Sequence, residues 1–171
     1  MQLHQRRLTG GLIRTLVLIL VLAVSACGFH LRGASLFPFT TIYVAGSENS
    51  PLGTELRRNL KGQTNAHLVM TEQEADVVLQ LISETRDKVI LSLNAQGRVS
   101  EYTLNSRLTF LVRNSFGKQF IGTTTIRLTR VLSFNEDLVL AKQAEEAMLY
   151  KDMQSDLVQQ LVRRLSVMKM D

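Results

Sequence analysis

The chain has 171 residues, a single cysteine and a formal net charge of +5. Three of its 20 Lys and Arg residues, Arg6, Arg7 and Arg14, precede residue 27 with no acid beside them, so the remainder holds 17 basic against 15 acidic side chains. So small an excess excludes bulk nucleic-acid binding by charge, and one cysteine excludes a disulfide framework.

Taken in order, the basic start leads into an apolar run from Thr15 to Val24. That run is shorter than the roughly 20 residues a membrane-spanning helix needs and reads as the core of a cleaved general-secretion signal. Small Ser25 and Ala26 then precede Cys27, whose thiol can accept a diacylglycerol. The stretch resembles the bacterial lipobox, which implies a cleaved lipoprotein signal peptide over 1–26 and lipid attachment at Cys27. Gly28 stands where an Asp would resemble an inner-membrane retention signal. The implied destination is the outer membrane, with the acyl chains anchored in outer-membrane lipid on its periplasmic side. At about 0.8 kcal/mol per buried methylene, several chains give lasting attachment. Residues 27–40 form a tether whose Phe29, Leu31, Phe37 and Phe39 are expected to pack on the domain or on a partner.

Residues 41–171 are predicted to form one domain, since a chain of this length can bury its own core. Thr41 to Ala45 is a short β-rich stretch closed by Gly46-Ser47-Glu48-Asn49. Ser50 then suits an N-cap and Pro51 a first helical position, and Leu52, Leu56 and Leu60 repeat every four residues up to Gly62. Arg57, Arg58 and Lys61 near the end of that helix read as a solvated face favoured by the helix dipole.

The middle third predicts a three-stranded antiparallel meander. Its first strand lies within Asp76 to Leu93, and Asn94-Ala95-Gln96-Gly97 makes a turn. In the second strand Tyr102, Leu104, Ser106, Leu108, Phe110 and Val112 alternate with polar residues. After Asn114 to Lys118, the third strand carries Phe120, Ile126, Leu128 and Leu132 in one phase, and Gly122 suggests a bulge. Strands of about 15 residues at ~3.3 Å each reach about 50 Å. From Asn135 the period becomes helical, with Leu138, Ala141, Leu149, Met153, Leu157, Leu161 and Leu165 on one side. Polar Lys151-Asp152 and Gln154-Ser155-Asp156 leave room for a kink. The predicted fold class is α+β: one sheet built on the long meander plus a short first strand, covered on one face by two α-helices.

Sequence signals for chemistry are few. From Cys27 onward the histidines are His30 and His67 alone, so the usual zinc spacings do not occur, and there is no Gly-rich phosphate loop and no G-x-S-x-G elbow. No metal, cofactor or catalytic residue is predicted, and the expectation is a protein that is not an enzyme.

The start Cys27-Gly28-Phe29-His30-Leu31-Arg32, the element order, and the passage Leu138-Val139-Leu140-Ala141-Lys142 leading to Glu145-Glu146 together resemble the LPS-assembly lipoprotein family, LptE. The resemblance implies an outer-membrane lipoprotein that plugs the LptD β-barrel, helps it assemble and binds lipopolysaccharide during delivery to the cell surface. Two other classes stay open on the residues alone: a periplasm-facing lipid carrier or chaperone, and an envelope hydrolase. On the resemblance, the non-core phase of the meander, with Arg107 and Arg127 among threonines, is expected to meet the polar lumen of the barrel. Alternating hairpins put the end of the third strand beside the first hairpin, which groups Arg98, Arg130 and Lys142 near one end of the domain. Lipid A phosphates would suit such a cluster, because Arg binds phosphate in a bidentate way, and the resemblance adds weight to Lys142.

Overall fold

A computed structural model describes residues 36–46, 49–63 and 65–170; Cys27, the signal segment and the start of the tether lie outside the described residues. In chain order the elements are β1 (Thr41–Ala45), α1 (Pro51–Gln63), β2 (His67–Leu68), β3 (Val77–Leu93), β4 (Val99–Arg113), β5 (Gln119–Ser133) and α2 (Val139–Ser166). They build one five-stranded sheet in the order β2-β1-β3-β4-β5. The meander β3-β4-β5 is antiparallel, while β1 pairs in parallel with both β2 and β3. The α+β class, the long meander and the helical cover are as the sequence predicts. The two-residue β2 is an addition that such a short segment does not announce. Its parallel pairing follows from α1, which carries the chain back to the end where β1 began.

The local signals act as expected at the helix starts. Ser50 Oγ accepts the Gly53 amide at 2.9 Å, and Leu52, Leu56 and Leu60 are fully buried. Before α2, Asn135 Oδ1 accepts the Asp137 amide at 3.0 Å and caps a 3-10 turn over Glu136–Leu138. The helix then runs 28 residues without a break. The kink that its polar stretch allowed is absent because Gln154 turns inward, donating to Glu55 Oε2 at 2.7 Å and accepting from Arg86 at 2.8 Å. β1 ends at Gly46 for a steric reason: its φ is +79°, and a Cβ there would sit 2.5 Å from the Leu81 carbonyl oxygen.

Strand phases follow the predicted alternation except where bulges shift them. On β4, Leu104, Ser106, Leu108, Phe110 and Val112 are all buried. On β3, Val77, Leu79 and Leu81 join them, but Ile82 is an extra residue between the Leu81–Phe110 and Ser83–Thr109 pairs. Beyond it Glu84, Arg86, Lys88 and Ile90 stand on the helix side, opposite Leu108, Ser106, Leu104 and Tyr102. β5 slips near Gly122, so Ile121, and not Phe120, pairs with Val112; the predicted phase for Phe120 is thereby corrected, although both side chains pack on the core. The main core lies under α1 and the second half of α2, and it includes Phe37 and Phe39, whose rings stack at 4.8 Å. A thinner core of Leu104, Leu132 and Met153 lies under the first half of α2.

Candidate functional surfaces

Strand register defines two ends. Leu93 pairs with Val99 and Glu101 with Ser133, so the Asn94–Gly97 hairpin and the start of α2 share a far end. Val78 pairs with Arg113, Arg113 with Gln119 and Ile42 with Val77, so the Asn114–Lys118 hairpin and the start of β1 share an entry end.

At the far end Arg98 Nη1 lies 3.2 Å from Glu136 Oε2. Lys142 Nζ donates to Ser133 Oγ at 2.9 Å and to Glu145 Oε2 at 2.8 Å, and its side chain is only 16 % exposed. The two cations therefore flank the Ser133–Glu136 segment, beside an open depression of about 250 Å3 lined by Asn94, Arg98, Ser100, Phe134 and Asp137 among others. Arg130 is placed elsewhere. Although β5 carries it towards this end, its guanidinium bonds Asp156 at 2.9 Å. Asp156 is 14 residues beyond Lys142 on α2, about 21 Å along the axis at ~1.5 Å per residue. Sequence reasoning also missed the aliphatic company of this end: Val89, Ile90, Leu91 and Leu93 of β3, with Leu138 and Leu140, are each more than half exposed. A cluster of bare aliphatics beside cations can take an amphiphile with an anionic head. The signal was present as the run Val89-Ile90-Leu91-Ser92-Leu93, but only the third dimension shows that the described residues leave its aliphatic side chains exposed.

Between the ends, the sheet face away from the helices is a polar ladder. Thr109 stands opposite Thr125, Arg107 opposite Arg127, Asn105 opposite Thr129 and Thr103 opposite Val131. Asp87 organises part of it, accepting from Asn105 Nδ2 at 2.8 Å and from Arg107 Nη1 at 2.7 Å. Thr129 donates to Asn105 Oδ1 at 3.0 Å, and the Thr109 and Thr125 hydroxyls share a bond of 2.9 Å. Arg107 Nε is enclosed with no acceptor among the described residues. The Arg127 side chain has neither a hydrogen bond nor an ion pair among the described residues, and it faces a like charge directly across the strands, an arrangement that is unfavourable in isolation. Both predicted arginines thus lie side by side on the open face.

On the helix side the same strands hold charge inward. Lys88 donates to Glu146 at 2.8 Å and lies 4.8 Å from the Tyr102 ring centre; the Glu146 bond raises its pKa, against the opposing effect of burial. Tyr150 donates its hydroxyl to the Asp87 carbonyl at 3.0 Å, and burial pushes its pKa up. Among the described residues no helix is long and apolar enough to cross a membrane.

Comparison with known proteins identifies similar chains. The family model described as LptE, Lipopolysaccharide-assembly, matches residues 39–165. The LPS-assembly lipoprotein LptE of Photorhabdus laumondii is 30 % identical over 159 residues, covering 89 % of this chain and 85 % of that protein. Its counterpart in Pectobacterium atrosepticum is 28 % identical over 156 residues, covering 88 % and 83 %. Among solved structures, an uncharacterised lipoprotein B from Nitrosomonas europaea superposes with a TM-score of 0.72 at 38 % identity, covering 81 % of this chain and 90 % of that one. Rare lipoprotein B from Shewanella oneidensis shares the fold, with a TM-score of 0.63 at 22 % identity over 74 % of this chain and 94 % of that one.

Proposed function

The chain belongs to the LptE lipopolysaccharide-assembly family, and from that premise we propose that it is an outer-membrane lipoprotein, held through Cys27, that seats inside the LptD β-barrel, helps it assemble and binds lipopolysaccharide at its far end. Its role is then binding and assembly, not catalysis. The observation that carries the barrel reading is the open face of the meander. A long sheet normally hides its second face or clothes it with scattered charge, whereas this one presents ordered rows of Thr, Asn and Arg to whatever lies opposite. A water-filled barrel lumen is lined with polar side chains that can bond such rows. Arg127 gives the face an unmatched cation for an acidic lumen residue.

Lipopolysaccharide binding is assigned to Arg98 and Lys142 with the aliphatics around them. The phosphates meet the cations and the acyl chains meet Leu138, Leu140 and the end of β3. Arg130 contributes by tying β5 to α2 through Asp156. Photo-crosslinking probes at Thr103, Thr125 and Arg127, introduced one at a time in cells, test the seating. Crosslinks to a large barrel are expected at all three; silence there, with strong crosslinks from the helix side, would overturn it.

A further inference from the structure

Four large apolar side chains at or beside the entry end have almost no protein cover: Leu36 is 74 % exposed, Met70 84 %, Phe116 94 % and Val167 78 %. They come from four separate segments. Leu36 precedes Phe37, which is pinned by its amide and carbonyl to the Asn65 side chain at 2.6 and 3.1 Å. Met70 follows β2, just past the Val69 amide that bonds the Ile42 carbonyl at 3.0 Å. Phe116 is the tip of the Asn114–Lys118 hairpin. Val167 ends α2, which starts at the far end and finishes with Leu165 and Met168 in the same core as Phe37.

The charges at this end are one-sided. Arg58, Lys61, Lys118, Arg163, Arg164 and Lys169 are exposed, and none has an ion-pair partner among the described residues. Of the acids there among the described residues, Glu72 is held by Arg113 and Asp76 by Thr40 and Thr41, which leaves Glu74. Apolar tips from separate segments set among cations suit a surface that is both anionic and soft, and the depressions beside them are open ones lined by Arg57, Arg58 and Lys61. A protein partner would call for a continuous apolar patch.

We propose that the entry end rests on the anionic phospholipid headgroups of the leaflet that holds the Cys27 acyl chains, an inference that depends on the lipid anchoring proposed above. Leu36, Phe116 and Val167 enter the boundary between headgroups and acyl chains, with Met70 at the edge, and the cations meet lipid phosphates. The chain length agrees. Leu36 lies nine residues beyond Cys27, and at ~3.4 Å per residue that stretch reaches about 30 Å at most, so the entry end of an anchored domain stays within about 30 Å of the surface. The far end is carried away from the leaflet by the length of the meander.

Lipidation consumes the single cysteine, so Phe116→Cys, Val167→Cys and Leu140→Cys each add one thiol for a fluorescent label in the full, lipidated chain. The chain is placed in vesicles of phosphatidylethanolamine and phosphatidylglycerol that carry a quencher at headgroup depth. The expected result is quenching at 116 and 167 and none at 140, with loss of quenching at 116 when phosphatidylcholine replaces phosphatidylglycerol or when Lys61→Glu and Lys118→Glu are added. Labels at 116 and 167 as unquenched as that at 140 would overturn the proposal. So would labels that become shielded only when the barrel is added, which would give this end to the barrel. A chain that stays in solution and takes two labels would remove the lipid anchor itself, and the proposal with it.

Discussion

Asp76 shows how one side chain can close a sheet. It sits at the joint where β3 begins and β1 enters, and its carboxylate accepts from the Thr40 hydroxyl at 2.7 Å and from the Thr40 and Thr41 amides at 3.0 and 2.9 Å. Its own amide is returned to Thr41 Oγ1 at 2.8 Å. The Thr40 hydroxyl bond holds the pKa below the usual carboxylate value, aided by the two amides and opposed by partial burial. A carboxylate whose folded pKa is depressed contributes its full stability above the unfolded value of about 3.9, and loses it as pH falls through the lower folded value. Asp76→Ala is therefore expected to cost about 1 kcal/mol at pH 7, the low end for charge-assisted bonds because the site is exposed. Urea denaturation should find the gap between wild type and variant narrowed at pH 3. A gap of the same size at both pH values would mean that the ionised carboxylate is not what closes the joint.

At the scale of an element, α2 is two helices in one. Its second half buries Met153, Leu157, Val158, Leu161 and Leu165 on the sheet. Its first half leaves Leu140 at 82 % exposure and Met148 at 67 %, and is held instead by Lys142 to Ser133, Glu146 to Lys88 and Tyr150 to the Asp87 carbonyl. Polar ties at a surface contribute less than buried leucines, so the halves differ in stability although the backbone is continuous. Leu157→Ala is expected to cost about 3 kcal/mol through lost burial and the cavity left behind, and Leu140→Ala close to nothing. Chemical denaturation of the two variants checks this. Equal losses would show that the first half of the helix is packed more firmly than its exposure indicates.

The whole molecule is a long sheet with different chemistry at each end. The far end gathers two cations and a set of bare aliphatics, and the entry end gathers cations and apolar tips where the tether arrives. Separation by the length of β4, about 50 Å at ~3.3 Å per residue, would let one end engage the leaflet and the other a ligand, as proposed. Reversing charge at the far end with Arg98→Glu and Lys142→Glu is expected to weaken lipopolysaccharide binding by purified protein, most at low salt, where charges are least screened. Arg98→Glu alone should leave thermal unfolding little changed, because Arg98 is largely exposed and its partner Glu136 lies in the turn before α2, whereas Lys142→Glu also loses the bonds to Ser133 and Glu145 that hold the start of that helix and should lower the unfolding temperature modestly. Unchanged binding at low salt would remove the far end as the ligand site.

Element order apart from β2, the phase of β4, the Ser50 and Asn135 caps and both hairpins were legible in the residues, because each depends on neighbours within a few positions. Periodicity and capping are local physics, and Leu104 to Val112 could be assigned to one face without knowing what covers it. Tertiary structure alone decided where that local order is interrupted and which distant groups meet. The bulge at Ile82 turns Glu84, Arg86 and Lys88 towards the helix, and only the register against β4 requires it. Gln154, which looked like a place for a kink, keeps α2 straight because Glu55 and Arg86 come from other elements to satisfy it. Arg130 leaves the end that topology gave it because Asp156 lies within reach, and the apolar residues at both ends are bare because no other described part of the domain extends over them. Partner choice between residues far apart in the chain is a property of packing, and no window of sequence contains it.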